Sequence, residues 1–138
     1  MKKQCVSYWY PICFLAMWCI LSCSKSSDAQ EPEIEPPVGV IDAALVGTWT
    51  GTLNGSFGEA DMSMMLTDKG VMSAEGSTSL YCPINATWEV IGGKFKAKGN
   101  DECDGTAVTF DAPYSKTKLV GSWNANSGNS GTFTAEKQ

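Results

Sequence analysis

Hydrophobic residues follow two rhythms along this chain. Between Tyr8 and Leu21 they run on almost without a break, whereas from Leu45 onward they fall on every second position. Alternation with period two puts one set of side chains on one face of an extended strand and the other set on the opposite face. In Leu45-Val46-Gly47-Thr48-Trp49-Thr50-Gly51-Thr52-Leu53 the odd positions are apolar or small and the even ones mostly Thr, which predicts a half-buried strand. Met62, Met64 and Leu66 mark a second strand, and Ala74, Gly76, Thr78, Leu80 and Cys82 a third. Trp88 and Val90 mark a fourth, and Phe95 and Ala97, set among Lys94, Lys96 and Lys98, a fifth. Val108, Phe110 and Ala112 give a sixth, Leu119, Gly121 and Trp123 a seventh, and Phe133 with Ala135 an eighth. No stretch of ten residues carries an apolar stripe at three-and-four spacing, so no helix is predicted in this region.

Turn-forming residues separate these segments: Asn54-Gly55, Lys69-Gly70, Pro83, Gly92-Gly93, the loop from Gly99 to Gly105, Pro113, and the run from Asn126 to Gly131. Gly and Asn tolerate the backbone angles of tight hairpins, and both prolines fall outside the alternating runs. Eight short strands joined by short turns read as an antiparallel meander. An open sheet of that length would leave two unpaired edges, and eight strands is about the number at which side chains fill a closed barrel. An even count also lets the first and last strands pair antiparallel. The expected fold is therefore all-β, a small eight-stranded antiparallel up-and-down barrel over residues 43–138, preferred to an open sandwich. Leu45-Val46-Gly47-Thr48-Trp49 returns as Leu119-Val120-Gly121-Ser122-Trp123. Each copy is expected to put a tryptophan on the inner face, with a glycine two residues earlier leaving room for a neighbouring indole.

The uninterrupted block near the start has a different meaning. Lys2 and Lys3 precede an apolar run of about 14 residues, which ends at Ile20-Leu21-Ser22-Cys23. That run is shorter than the roughly 20 residues a spanning helix needs, and the basic start, apolar middle and small residue before the cut form the pattern of a bacterial export signal. The residues around Cys23 resemble the lipobox of bacterial lipoproteins. The resemblance implies a signal peptide over 1–22 and a lipidated Cys23 as the new N-terminus. The Ser24-Lys25-Ser26-Ser27-Asp28 tract that follows is similar to that of Bacteroidetes-type lipoproteins. What this implies is an outer-membrane, lipid-anchored location, of the kind from which such tracts can direct a lipoprotein to the cell surface, with palmitate among the acyl chains. Residues 23–42, with Glu31-Pro32-Glu33-Ile34-Glu35-Pro36-Pro37, hold too little apolar surface to form a core and read as an acidic, proline-rich linker.

Charge and cysteine content narrow the chemistry. All ten basic residues are Lys, against fifteen Asp and Glu, and there is no His. Nucleophilic mechanisms that use an imidazole base, histidine metal centres and a strongly basic nucleic-acid surface are thereby excluded. Carboxylates fall mostly in turns or, as with Glu75 and Glu89, on the outward register, and no nucleophile has a partner base, so no catalytic residue is expected. Cys5, Cys13 and Cys19 leave with the signal and Cys23 takes lipid, which leaves Cys82 and Cys103. In an oxidising compartment these two are expected to form a disulfide, the alternatives being two buried thiols or a metal pair lacking other ligands. Asn100, Glu102 and Asp104 alternate before Gly105, but the spacing meets an EF-hand loop only in part and a solvated turn is the expected state. No metal or cofactor is expected.

The Gly47-Thr48-Trp49 near the domain start, the eight-strand meander and the Gly131-Thr132-Phe133-Thr134 ending resemble lipocalin-like domains, in which a Gly-x-Trp on the first strand plugs one end of the barrel. The chain is much shorter than full lipocalins and shows no second family motif. The resemblance implies a carrier or binding module with an apolar interior. Its candidate ligand-facing residues are Trp49, Trp88, Trp123, Phe95, Phe110, Phe133 and Met64, although an aromatic interior is more often core than pocket and in so small a barrel they could simply fill it. The expected function is a lipid-anchored envelope binding protein of unknown ligand, a lipocalin-like carrier or binding module whose partner is a small apolar molecule or a protein. The alternative is a hydrolase-inhibitor-type or other protein-binding lipoprotein that acts through loops such as Asn100–Gly105 and Pro113–Lys116.

Overall fold

The structure, a computed structural model, describes residues 38–138. The expected signal peptide, Cys23 and residues 23–37 of the linker lie outside the described residues.

Eight strands follow one another in chain order: β1 (Gly47–Gly55), β2 (Gly58–Leu66), β3 (Val71–Gly76), β4 (Ile84–Ile91), β5 (Lys94–Asp101), β6 (Ala107–Pro113), β7 (Lys118–Ala125) and β8 (Ser130–Lys137). Each pairs antiparallel with the next, and β8 returns to pair with β1, so the sheet closes into a barrel. Period-two patterning carries through to burial. On β2 the side chains of Ala60, Met62, Met64 and Leu66 point inward while Asp61, Ser63 and Met65 face out. Trp49, Trp88, Phe95, Phe110 and Phe133 pack in the interior with Met64, Met72 and Leu119, and no polar or charged residue is buried among the described residues.

The two ends of this barrel differ. At one end Ala43–Leu45 form a single 3₁₀ turn capped by Asp42, whose carboxylate accepts from the Ala44 amide at 2.8 Å. Leu45 is fully buried there, and the Trp49 indole donates to the Leu45 carbonyl at 2.9 Å. Tyr114 donates its hydroxyl to Asp42 at 2.6 Å and Lys137 its ammonium to the Ala44 carbonyl at 2.6 Å, so the β6–β7 loop and the end of β8 both hold the plug. Val40 adds a two-way backbone bridge to Val90 beside the place where β3 has already left β4. The last residues of the expected linker, Val40 to Asp42, thus belong to the folded body. Among the described residues the opposite end carries no such segment, only the β1–β2, β3–β4, β5–β6 and β7–β8 connections.

Three local expectations are revised. The third strand ends at Gly76, and Thr78, Leu80 and Cys82 lie in a loop. The chain turns there because Ser77 caps back onto Asp61 and Tyr81 bonds to Thr78, and the residue that seals the loop is Tyr81, not Leu80. β3 starts early enough to bury Met72, which the period-two reading had not claimed. Leu45 sits in the plug rather than on β1. The glycines preceding Trp49 and Trp123 do not make room for an indole either: a Cβ on Gly121 would strike the Asp111 carbonyl, and the glycine that yields to Trp123 is Gly55.

Candidate functional site

The open end of the barrel is a recess of about 220 Å³. Its apolar floor is built by inward residues at the ends of strands: Leu53 of β1, Ile84 of β4, Val108 of β6 and Trp123 of β7. Phe57 from the β1–β2 turn and Leu80 and Tyr81 from the β3–β4 loop stand around it. Phe57 and Leu80 are about half exposed, an apolar rim at a point where the chain could have placed polar turn residues.

Three aromatic rings form a connected wall. Phe57 meets Tyr81 at 6.0 Å between ring centroids with planes at 83°, and Tyr81 meets Trp123 at 6.1 Å, again at 83°. Such edge-to-face contacts set the electron-poor edge of one ring against the electron-rich face of the next. The polar tips of the two larger rings are occupied. The Tyr81 hydroxyl donates to the Gly58 carbonyl, and the Trp123 indole donates to the Asn54 carbonyl at 3.3 Å. Burial raises the Tyr81 hydroxyl above its usual range near 10.0, so it stays neutral.

The far wall comes from the end of β5, with Asp101, and from the β5–β6 loop, with Asp104 and Thr106. One oxygen of Asp101 accepts from the amides of Cys103, Asp104 and Gly105, and Asp104 accepts from the Thr106 amide at 2.8 Å. Bonds to Thr106 hold the Asp104 carboxyl below the usual carboxylate range, so it is ionised at neutral pH. The Asn100–Gly105 segment is therefore a self-bonded turn, and among the described residues no group of three or more acidic or cysteine side chains is placed to hold a metal. Cys82 and Cys103 form a disulfide that ties the β3–β4 loop to the β5–β6 loop, reinforced by Asn85 donating to Glu102 and by the Glu102 amide on the Pro83 carbonyl.

Of the seven residues expected to face a ligand, Trp123 alone lines this recess. Trp49 and Trp88 sit toward the plugged end with their indoles bonded to the Leu45 and Thr67 carbonyls. Phe95, Phe110, Phe133 and Met64 are buried in the barrel body, Phe110 packing edge-to-face on Phe133 at 5.4 Å. Leu53, Phe57, Tyr81 and Ile84 were not anticipated. Phe57 lies in a two-residue turn and Tyr81 off the alternation, so only a search for aromatic residues in turns would have found them.

A larger recess of about 620 Å³ lies on the outer wall over β4, β5 and β6. Its walls are outward side chains such as Thr87, Glu89, Lys96, Lys98 and Thr109, and Asp111 is shared between Lys94 at 3.6 Å and Lys96 at 3.7 Å. Exposed pairs of this kind order little; Ile41 and Ala97 also border this recess, as do Trp88 and Phe110, two of the residues expected to face a ligand. Comparison of the chain with protein-family models, with curated proteins and with solved structures gave no match.

Proposed function

We propose that this protein is a lipid-anchored binding module of the bacterial envelope, whose small ligand docks in the open end of the barrel. The observation that carries this reading is the asymmetry of the barrel. One end is plugged by Leu45 and latched by three separate segments, while the other exposes an apolar recess ringed by Phe57, Tyr81 and Trp123. A barrel built only for stability gains nothing from leaving Phe57 and Leu80 in water, since apolar surface costs roughly 25 cal/mol per Å² when exposed. The packed interior supports a ligand held at the mouth, not one swallowed as in a larger carrier barrel.

The anchor is read from the sequence: the lipobox-like Ile20-Leu21-Ser22-Cys23 after the apolar run supports lipidation at Cys23 and an outer-membrane location. The chain enters the folded body through Val40 to Asp42 at the plugged end, the end opposite the mouth.

Filling the recess tests the reading. Ile84→Trp places an indole in the mouth, and small amphipathic fragments should raise the melting temperature of the wild-type domain but not of this variant, because a ligand that binds only the folded state stabilises it by mass action. Equal shifts in both proteins would contradict the proposal.

A further inference from the structure

We propose that the mouth is a receptor for a small methylated ammonium ion, a ligand of the choline or trimethylamine type. This rests on the reading of the mouth as the binding site and specifies its ligand.

Four observations converge on that chemistry. First, Phe57, Tyr81 and Trp123 all line the recess and meet edge-to-face in succession, so the ring planes turn by nearly a right angle at each step along its wall. The face of an aromatic ring carries the negative part of its quadrupole, and several rings around one volume are the arrangement that attracts a quaternary ammonium without a hydrogen bond. Second, the donors of the two polar rings are already committed to the Gly58 and Asn54 carbonyls. The rings therefore offer the ligand π surface and no N–H or O–H, which suits a head group that has no acceptor.

Third, the charge at the site has one sign. Asp101 and Asp104 line the recess, Asp104 with its carboxyl ionised, and no lysine does. One oxygen of Asp101 is taken by three loop amides, and Asp104 is bonded to the amide and side chain of Thr106 and to Asp101. An anionic ligand would meet the Asp104 carboxylate with no lysine at the recess to offset it, a neutral one would forgo its attraction, and a cation gains from the acidic wall and the aromatic wall at once. Fourth, the recess of about 220 Å³ lies below the roughly 300–1,000 Å³ of pockets that enclose drug-sized molecules, which limits the seated portion to a compact head group. A tetrahedral trimethylammonium is compact, apolar on its surface and positively charged, and matches size, wall chemistry and charge together.

The disulfide gives the site its rigidity. Aromatic cages lose their advantage if the rings must be ordered on binding. Cys82 adjoins Tyr81, and its bond to Cys103 fixes the loop that carries the ring to the loop that carries Asp104.

Three molecules of one shape but different charge test the assignment: choline, its neutral isostere 3,3-dimethylbutan-1-ol, and the anionic 3,3-dimethylbutanoate. Binding is followed by the Trp123 indole N–H resonance and by calorimetry on the disulfide-intact protein. Choline should bind at least tenfold tighter than the neutral alcohol, and the carboxylate should not bind. Phe57→Leu and Asp104→Asn, both at exposed positions, should each weaken choline at least threefold with the melting temperature little changed. If the neutral alcohol binds as well as choline, the cation assignment is overturned while the mouth remains a ligand site. If none of the three disturbs Trp123, the assignment and the reading beneath it both fall. Unchanged choline affinity in the two variants would also overturn the assignment.

Discussion

At the scale of single residues, one of the bonds that latch the plugged end joins groups of complementary acidity, Asp42 and Tyr114. The Tyr114 hydroxyl, then the Ala44 amide, with smaller help from Lys116 and Lys137, hold the Asp42 carboxyl below its ordinary 3.8. The same bond holds the Tyr114 hydroxyl above its ordinary 10.0. A depressed acid stabilises the fold above its unfolded value and loses that contribution as pH falls through the folded one. A raised hydroxyl does so below its unfolded value and loses the contribution as pH rises through the folded one. The latch should therefore hold between about pH 4 and pH 10. Tyr114→Phe should lower the melting temperature at pH 7 and flatten its fall between pH 5 and pH 2, because Asp42 then titrates closer to its unfolded value. A melting profile parallel to that of the wild type over this range would show that the bond does not latch the plug. Neither partner was legible as such in the sequence. Asp42 stood at the end of a linker and Tyr114 in a loop 72 positions away, and local patterning carries no information about such a pairing.

At the scale of elements, closure depends on how near β1 and β8 can approach. A Cβ on Gly131 would lie 1.8 Å from the Asn54 carbonyl, and one on Gly51 would lie 1.8 Å from the Thr134 carbonyl. Both glycines sit on the β1–β8 seam, one on each strand, paired through Gly55↔Gly131 and Gly51↔Ala135. Backbone cannot give way as a flexible side chain does, so Gly131→Ala should cost on the order of 1–3 kcal/mol or more, read as a lower urea midpoint. An unchanged midpoint would mean that the seam has slack. The strands themselves were largely legible, because inward residues on a barrel must alternate and the periodicity of Met62, Met64, Leu66 or Phe95, Ala97 reports that directly. The third strand was misread where apolar and small residues continued to alternate through a loop. At Thr78 to Cys82 the spacing reflects a turn around Tyr81 and a disulfide, not a sheet face.

At the scale of the whole molecule, the closed ring of eight antiparallel strands agrees with the fold expected from strand count and turn chemistry. The disulfide joins two loops that the sequence separates by 21 positions. The mouth was far less legible than the barrel. Patterning identifies residues that point inward but not how far along the axis each one lies, so Trp49, Trp88 and Trp123 looked equivalent. Depth follows from register, which places Trp123 opposite Gly131 near the open end and Trp49 opposite Lys137 beside the plug. The three indoles of residues 38–138 thus sample both ends of the barrel, and each has its own N–H resonance. The most direct measurement is a nitrogen–proton correlation spectrum of the folded domain during titration with choline. The account predicts that the Trp123 indole signal moves while those of Trp49 and Trp88 stay in place. Movement of the Trp49 or Trp88 signal with Trp123 unmoved would put the ligand at the other end of the barrel and contradict the account.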